Sequence, residues 1–201
     1  MVIPSDLPSS PIQDLSVVDL GLGGELALQE FFEANPQYFL SVHGIPPQPN
    51  EAHDEIYDEL PAGWPYTHKY VFGYQDLDGK MVGMVNVVSD LLAVGVWHVG
   101  TFIVATDRHG KGDAQVLYSS VEEWCRNGGA QWMRLGVVEG NARAEAFWNR
   151  TGYAQVAKRD GIAMGQKVNT IRVMAKALRG QTLAAYYELV ERDRPAPVSA
   201  I

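Results

Sequence analysis

The sequence has very little cysteine and no long apolar segment. Cys125 is the single cysteine, so a disulfide within these residues and a cysteine-rich metal site are both excluded. It lies among helix-forming residues, where a buried core thiol is the ordinary interpretation and catalysis is the alternative. The longest apolar stretch, residues 91–105, contains His98 and glycines and is shorter than the roughly 20 residues that cross a bilayer. We therefore expect a buried strand there and no membrane partner.

Basic residues are also scarce. The chain has 16 lysines and arginines against 24 aspartates and glutamates, a formal net charge of −8. Binding to a nucleic-acid backbone needs a basic surface that replaces released counterions, so nucleic acid is not an expected partner. The first residues, MVIPSDLPSSPIQDLS, have prolines and aspartates where a secretory signal has a basic start and an apolar run. A cytoplasmic location is the expectation.

The apolar content is sufficient for one folded domain. The chain has 201 residues, of which 46% are hydrophobic, and no internal repeat. We expect an N-terminal tail over residues 1–11, a single domain over 12–178, and a C-terminal helix and tail over 179–201.

Hydrophobic periodicity and turn residues divide this domain into helices and strands. The predicted elements are a strand in IQDLSVVDL, a helix broken at Asn35-Pro36, a short helix after Asn50, a hairpin turning at Asp78-Gly79, a strand over 97–105, a helix ending at Gly128-Gly129, a strand in QWMRLGVVEG, a helix from Asn141 to Gly152, and strands in AQVAKRD and NTIRVMAKAL. This order predicts a mixed α/β fold.

The segment DRHGKGDA, residues 107–114, joins the strand at 97–105 to the next helix. It places unpaired backbone N–H groups at the positive end of a helix dipole, and its glycines allow a ligand to approach closely. The spacing matches neither a Walker loop nor a dinucleotide fingerprint. From spacing alone, an anion site and a glycine-rich turn with solvated charges are both open.

The downstream half carries further motifs. Together, HGKGDA at 109–114, the strand WMRLGVVEGN and the helix NARAEAFWNRTGY at 141–153 resemble the GNAT superfamily of acyl-CoA-dependent N-acetyltransferases. In that family a Gln/Arg-x-x-Gly-x-Gly/Ala loop binds pyrophosphate, and a helix begins Asn-x-x-Ala and ends Gly-Phe/Tyr. The matching residues are His109, Gly112, Ala114, Asn141, Ala144, Gly152 and Tyr153. The resemblance extends over about residues 12–178.

The resemblance implies an α/β (α+β) fold with a mixed, mostly antiparallel central sheet, splayed between its fourth and fifth strands and flanked by helices. Acetyl-CoA as co-substrate would lie in the gap, and no metal is implied. The implied contacts are the backbone of Ile103, Val104 and Ala105 to pantetheine, the loop residues Arg108, His109, Gly110, Lys111, Gly112, Asp113 and Ala114 to pyrophosphate, and Asn141 and Trp148 to the pantetheine arm and thioester.

The implied reaction is direct attack of a primary amine, on a small molecule or peptide, on the thioester of acetyl-CoA, without an acyl-enzyme. A homodimer is compatible with this. The alternatives are a non-catalytic CoA-binding sensor or assembly module, and a nucleotide-binding protein that uses the same loop for ATP.

Two positions depart from the family pattern. Trp148 lies where many relatives carry the tyrosine that protonates the departing thiolate, and indole has no useful acidity. Candidate replacements are Tyr57, Tyr66, Tyr70 and Tyr74. Asp113 would oppose a nearby pyrophosphate, unless it turns away and caps the helix.

His98 lies eleven residues before His109 on the strand that leads into the loop. A glutamate at that separation is the general base in some relatives, so we expect His98 to be the catalytic base; a buried structural histidine is the alternative. On a regular strand His98 shares a face with Phe102 and Val104, and a bulge would reverse this.

Acidic residues cluster in EAHDEIYDEL, residues 51–60, and the resemblance to the GNAT superfamily implies that this helix borders the acceptor cleft. The members are Glu51, Asp54, Glu55, Asp58 and Glu59, which i,i+4 spacing aligns along a helix. A cationic amine is therefore one candidate acceptor, and a solvated helix face is the other interpretation. The aromatic residues Trp64, Tyr66, Trp97 and Trp148 either line a pocket or fill the core.

Overall fold

The structure, a computed structural model, describes residues 6–195. Its strands are β1 Ser16–Asp19, β2 His68–Gln75, β3 Met81–Ser89, β4 Val96–Val104, β5 Trp132–Val138, β6 Ala154–Met164 and β7 Lys167–Ala177. Its helices are α1 Glu25–Ala34, α2 Gln37–Val42, α3 Glu51–Tyr57, α4 Asp113–Asn127, α5 Ala142–Arg150 and α6 Leu183–Leu189. The strands form one sheet in the order β1-β2-β3-β4-β5-β7-β6.

All neighbouring strands are antiparallel except β4 and β5, which are parallel. The expected mixed, mostly antiparallel sheet is therefore confirmed. The local turn signals also act as predicted: Gly79 turns the β2–β3 hairpin with φ +79°, and the α1–α2 break falls at Asn35 and Pro36. Strands β6 and β7 are longer than the predicted segments AQVAKRD and NTIRVMAKAL, because residues beyond these segments also pair between the two strands.

Asn35 connects the break between α1 and α2 to the segment after β4. Its side-chain amide donates to the carbonyl of Phe31 at 2.9 Å, and its side-chain oxygen accepts the N–H of Thr106 at 2.7 Å. These two bonds use both ends of a nearly buried amide, as burial of a polar group requires. The helical break is thereby attached to the start of the 107–114 loop.

The main apolar core joins α1, α3 and α4 to strands β2 to β5, and Cys125 lies within it with no exposed surface. Burial raises the pKa of the Cys125 thiol well above its ordinary value, which fits a packing role. A second apolar cluster joins α6 to the other half of the sheet. Its buried members are Val96, Trp132, Val156, Val173, Ala175, Tyr186 and Val190.

The expected N-terminal tail lies partly against the domain. The Trp124 indole N–H donates to the Asp6 carbonyl at 2.9 Å, the Ser120 hydroxyl donates to the Ser9 carbonyl at 3.0 Å, and Leu7 packs against the main core. The remainder of both predicted tails, residues 1–5 and 196–201, lies outside the described residues. Among residues 6–195 no helix is long and apolar enough to cross a membrane.

The sheet opens between β4 and β5. The two strands pair from Val96↔Trp132 to Val99↔Leu135, after which both continue without pairing to each other. A bulge at Gly100 marks this point, because Val87 pairs with Val99 while Asn86 pairs with Thr101. A bulge adds twist and disrupts the ladder locally. The predicted splay between the fourth and fifth strands is therefore confirmed.

Candidate functional site

Two cavities adjoin in the gap between β4 and β5. The first, which we call the loop cavity, has a volume of about 600 Å³ and borders the loop before α4. The second, the arginine cavity, has a volume of about 470 Å³ and lies among His98, Arg134, Arg159 and Arg192. The residues that line both cavities are Tyr38, Phe102, Asn141, Ala144 and Trp148. A ligand that follows the gap would therefore pass from one cavity into the other.

The loop cavity ends at backbone N–H groups that have no hydrogen-bond partner among residues 6–195. Gly110 and Gly112 have φ values of +77° and +92°, which favour glycine, and a Cβ at either would meet nothing within 4 Å. Gly112 is the N-cap of α4. None of the N–H groups of residues 110–114 donates a hydrogen bond to another described residue. Unpaired N–H groups at the positive end of a helix dipole can bind an anion, so this loop is the candidate anion site.

Most of the residues predicted to bind the cofactor line this cavity, and their binding role stays a prediction. Those that do are Ile103, Val104, Arg108, His109, Gly110, Gly112, Ala114, Asn141 and Trp148. Ala105, Lys111 and Asp113 do not. The N–H of Ala105 is unavailable to a ligand because it donates to the carbonyl of Val82 at 2.9 Å.

Asp113 neither points freely at the loop cavity nor caps the helix. Its carboxylate pairs with Arg108 at 2.9 Å, and α4 has no side-chain cap hydrogen bond, so the predicted capping role is wrong. The pair offsets the repulsion that a free carboxylate would exert on a phosphate. His109 is also engaged, because its Nε2 donates to the carbonyl of Val104 at 2.8 Å.

The start of α5 is built as predicted. The Asn141 side-chain oxygen accepts the N–H of Ala144 at 3.2 Å, which makes Asn141 the N-cap. Trp148 is only 8% exposed and packs edge-on against Tyr118, with ring centroids 4.8 Å apart. The Tyr118 hydroxyl is bonded to that of Tyr153, and burial raises both phenol pKa values well above the ordinary range. Neither phenol is therefore a ready proton donor.

The four tyrosines considered as proton donors line neither cavity. Tyr70 and Tyr74 are buried in the core, while Tyr57 and Tyr66 are exposed elsewhere. Tyr38, which lines both cavities, was missed. Burial and the nearby Glu55 carboxylate raise the pKa of Tyr38. The signal for it was its position in α2, just after the Asn35-Pro36 break.

Among the aromatic residues considered for a pocket, Trp64 and Trp148 line the arginine cavity. Trp97 instead packs in the core against Trp124, with ring centroids 5.5 Å apart. Tyr66 lines neither cavity.

The bulge at Gly100 decides which way His98 faces. Phe102 packs against Tyr118 of α4 with ring centroids 5.4 Å apart, whereas Thr101 bonds to Glu55 of α3. The face that a regular strand predicts for His98 is therefore wrong, and His98 lies on the Thr101 side, at the arginine cavity. Its sequence register alone could not reveal this, since one inserted residue exchanges the two faces of a strand.

The surroundings of His98 favour the neutral imidazole. Its Nδ1 accepts a hydrogen bond from Arg134 Nη1 at 3.3 Å. Burial and the adjacent Arg134 guanidinium lower the pKa of His98 to about 3, which makes it a weak base. Its catalytic role stays a prediction.

Glu55 is the member of the acidic cluster that approaches the gap. Its carboxylate accepts a hydrogen bond from Asn86 Nδ2 at 2.6 Å and from the Thr101 hydroxyl at 3.1 Å, and Thr101 lines the arginine cavity. Burial raises the pKa of Glu55, and these two hydrogen bonds offset part of that effect. No aspartate or glutamate among residues 6–195 lines either cavity, so the predicted position of the acidic cluster beside the acceptor cleft stays a prediction.

A group of arginines surrounds one buried carboxylate beside the second cavity. Asp193, which has no exposed surface, accepts hydrogen bonds from Arg134 Nε at 2.8 Å and Arg159 Nη2 at 2.9 Å. The Tyr186 hydroxyl donates to the same carboxylate at 2.7 Å. Sequence reasoning missed this group because its members lie far apart in the chain and share no motif.

Comparison with known proteins agrees with this geometry. Residues 28–153 match the family model described as "Acetyltransferase (GNAT) family". A 121-residue segment is 23% identical to the uncharacterized N-acetyltransferase YobR of Bacillus subtilis. That match covers 60% of this chain and 45% of the relative, so the chain spans less than half the length of this curated relative.

Solved structures share the fold at low sequence identity. Spermidine N-acetyltransferase from Vibrio cholerae, solved with CoA and spermine, has a TM-score of 0.62 at 15% identity, covering 83% of this chain and 96% of that one. An acetyltransferase from Thermus thermophilus has a TM-score of 0.62 at 17% identity, covering 83% and 99%. The ribosomal-protein-S18-alanine N-acetyltransferase from Escherichia coli has a TM-score of 0.59 at 14% identity, covering 84% and 96%.

Proposed function

This chain belongs to the GNAT family of acetyltransferases, and on that premise we propose that it transfers an acetyl group from acetyl-CoA to the primary amine of a small molecule or peptide. The observation that carries the proposal is the unbonded N–H surface of residues 110–114 at one end of the open β4–β5 gap. A pyrophosphate fits the first feature and a pantetheine chain fits the second.

In this proposal the ligand would lie along the gap in an extended form. The N–H groups of residues 110–114 would hold the pyrophosphate, and the unpaired edge of β4 beyond Val99 would bond the pantetheine amides. The thioester would reach the junction of the two cavities, which Tyr38 and Trp148 both line. The acceptor amine would enter from the arginine cavity.

Acetyl transfer then needs no covalent enzyme intermediate. The amine nitrogen attacks the thioester carbonyl, a C–N bond forms, the C–S bond breaks, and the proton on nitrogen has to leave. Holding both reactants in one gap accelerates the reaction, because two oriented and bound reactants replace a bimolecular encounter in solution. Cys125 takes no part, since it is fully buried in the core.

We assign the proton from the amine to Glu55. The Thr101 hydroxyl lies between the arginine cavity and the Glu55 carboxylate, so it can accept the ammonium proton while passing its own to Glu55. The pKa of Glu55 is raised toward the operating pH, where a general base works best. His98, with a pKa of about 3 and an arginine beside it, is less suited to accept a proton.

The departing thiolate has no strong acid beside it. Trp148 occupies the position of the usual tyrosine, and Tyr38 has a raised pKa. We assign Tyr38 as a hydrogen-bond donor to the sulfur, with solvent completing protonation. The position of Trp148 also favours a second candidate function, a CoA-binding module without catalysis.

CoA is expected to stabilise the native protein against heat far more than ATP does. A ligand at 100 times its Kd adds about 2.7 kcal/mol, which raises the Tm of a domain of this size by roughly 5–10 °C. ATP offers a phosphate to the loop but no pantetheine to the gap. The measurement is thermal unfolding with CoA and ATP at matched concentrations, together with thiol release from acetyl-CoA over a panel of amines.

Three results distinguish the candidate functions. Stabilisation by CoA with amine-dependent thiol release supports the acetyltransferase. Stabilisation without release for any amine supports the non-catalytic module. Equal stabilisation by CoA and ATP would remove the pantetheine part of the proposal.

A further inference from the structure

The arginine cavity has a positively charged wall. Three arginines line it, Arg134, Arg159 and Arg192, together with His98. None of the aspartates and glutamates in residues 6–195 lines it. A cavity bounded by one sign of charge and apolar side chains concentrates ligands of the opposite sign.

Asp193, the carboxylate that pairs with this wall, does not balance its charge. Asp193 is shared between Arg134, only 6% exposed, and Arg159, 31% exposed. Asp193 has no exposed surface and also accepts a hydrogen bond from the Tyr186 hydroxyl. This carboxylate pairs with two of the three arginines, Arg134 and Arg159, so the three guanidinium groups keep a net positive charge beside the cavity.

Arg192 is the member of the group with free donors. Its guanidinium carbon lies 4.2 Å from the centroid of the Trp64 ring, an arrangement that holds the planar head in place. The guanidinium makes no ion pair and donates no hydrogen bond to another described residue, whereas Arg134 and Arg159 both bond Asp193. Burial and the like charges of Arg134 and Arg159 lower the pKa of Arg192. An anion beside Arg192 would relieve that repulsion.

We propose that the acceptor amine carries an anionic oxygen group, a carboxylate or a phosphate, and that Arg192, supported by Arg159, recognises it. The fork of N–H donors on a guanidinium matches both groups in bidentate geometry. The proposal rests on the acetyltransferase function above and names its substrate class. It replaces the cationic acceptor that the acidic residues of α3 suggested, since those carboxylates line neither cavity.

Arg159, Arg192 and Asp193 all follow residue 153, where the match to the family model ends. The carboxylate is held by β5 through Arg134, β6 through Arg159 and α6 through Tyr186. The C-terminal segment therefore contributes directly to one wall of the acceptor side. A specificity function for this segment follows from its position.

The test compares acceptor amines that carry an anionic group with acceptor amines that carry none. Free amino acids, their C-terminal amides, O-phosphoethanolamine and spermine are assayed as acceptors with acetyl-CoA, and each is also tested as a thermal stabiliser without it. The variants are Arg192→Met, which keeps an apolar side chain near Trp64 but removes the charge, Arg192→Lys, and the control Arg179→Met at an exposed arginine that lines neither cavity. Circular dichroism shows whether each variant is folded.

In the native protein we expect anionic acceptors to have the highest kcat/KM. Arg192→Met is expected to lower kcat/KM for them about tenfold, through KM, because a charge-assisted hydrogen bond is lost. For amides and spermine, kcat/KM is expected to change less than about twofold in Arg192→Met. In Arg192→Lys, kcat/KM for the anionic acceptors is expected to return partly toward the native value. Comparison of the free amino acids with O-phosphoethanolamine shows whether the site prefers a carboxylate or a phosphate.

Preference of the native protein for amides or spermine would overturn the proposal, and so would an equal loss for all acceptors in Arg192→Met. Thermal stabilisation by the acceptors without acetyl-CoA tests the anion site separately from the acetyltransferase function. Stabilisation by anionic amines that depends on Arg192, without any acetyl transfer, would support the anion site and remove the acetyltransferase function. Acetyl transfer that is indifferent to the anionic group would do the reverse.

Discussion

Glu55→Gln is expected to lower kcat/KM for the amine by about 10²–10⁴-fold at neutral pH, the range that a general base contributes. Glutamine retains the size of the side chain and can still accept the hydrogen bond from Asn86. It cannot take a proton through Thr101. Steady-state acetylation measures the effect, and CoA affinity is expected to stay within about twofold, since Glu55 does not line the loop cavity.

The pH dependence provides a second measurement. The base must be deprotonated, so native kcat/KM falls as the pH decreases through the raised pKa of Glu55. That decrease is expected to disappear in Glu55→Gln and leave only the titration of the amine. The difference between variants should narrow at high pH, where the amine is already neutral.

Stability separates a lost proton acceptor from a damaged fold. Because folding raises the pKa of Glu55, the stability it contributes is fully present below its unfolded pKa and is lost as the pH rises through the folded pKa. Glu55→Gln is therefore expected to be at least as stable as the native protein at pH 8. A loss of activity that accompanies a fall in Tm would contradict the assignment.

Two further variants complete this comparison. Glu51→Gln removes a carboxylate from the same helix, one that lines neither cavity, and is expected to leave turnover unchanged. His98→Asn is expected to cost less than about tenfold, because an imidazole with a pKa of about 3 is a weak base at neutral pH. If His98→Asn lost more activity than Glu55→Gln, the base would be His98.

Gly112→Glu is expected to weaken CoA binding on the order of 100-fold or more. The substitution places a carboxylate at the N-cap of α4, among the N–H groups proposed to hold the pyrophosphate. It also places a side chain at φ +92°, a conformation that costs a residue other than glycine about 1–2 kcal/mol. Calorimetry with CoA measures the affinity, and a thermal scan measures the cost to the fold.

Gly129→Glu is the matched control for backbone strain. Gly129 also has a positive φ, +105°, an added Cβ would meet nothing within 4 Å, and it lies beyond the other end of α4. A comparable loss of stability with undiminished CoA affinity is expected. Gly112→Asn, which tolerates the left-handed conformation and adds no charge, is expected to bind CoA within about tenfold of the native protein. If Gly112→Glu folds and binds CoA normally, the phosphate site lies elsewhere.

The local structure of the loop half of the candidate site, residues 107–114 and the start of α5, could be predicted because its cause is local. Gly110 and Gly112 set positive backbone angles, α4 begins at Asp113, and Asn141 caps α5 through its own side chain. Each of these features involves only a few consecutive residues, so the residues that determine it lie close together in the sequence. Helix starts and glycine turns carry their own sequence signatures.

Only the tertiary structure decided the other half, the arginine cavity and the residues beside it. The bulge at Gly100 exchanges the faces of β4, which sends His98 and Thr101 to one side, and a strand pattern with a period of 2 contains no mark of that insertion. Asp193 meets Arg134 across 59 positions of sequence, and Thr101 meets Glu55 across 46. Such pairs form because α3 and the C-terminal segment pack against the sheet, so the charges around the arginine cavity depend on packing rather than on residues close together in the sequence.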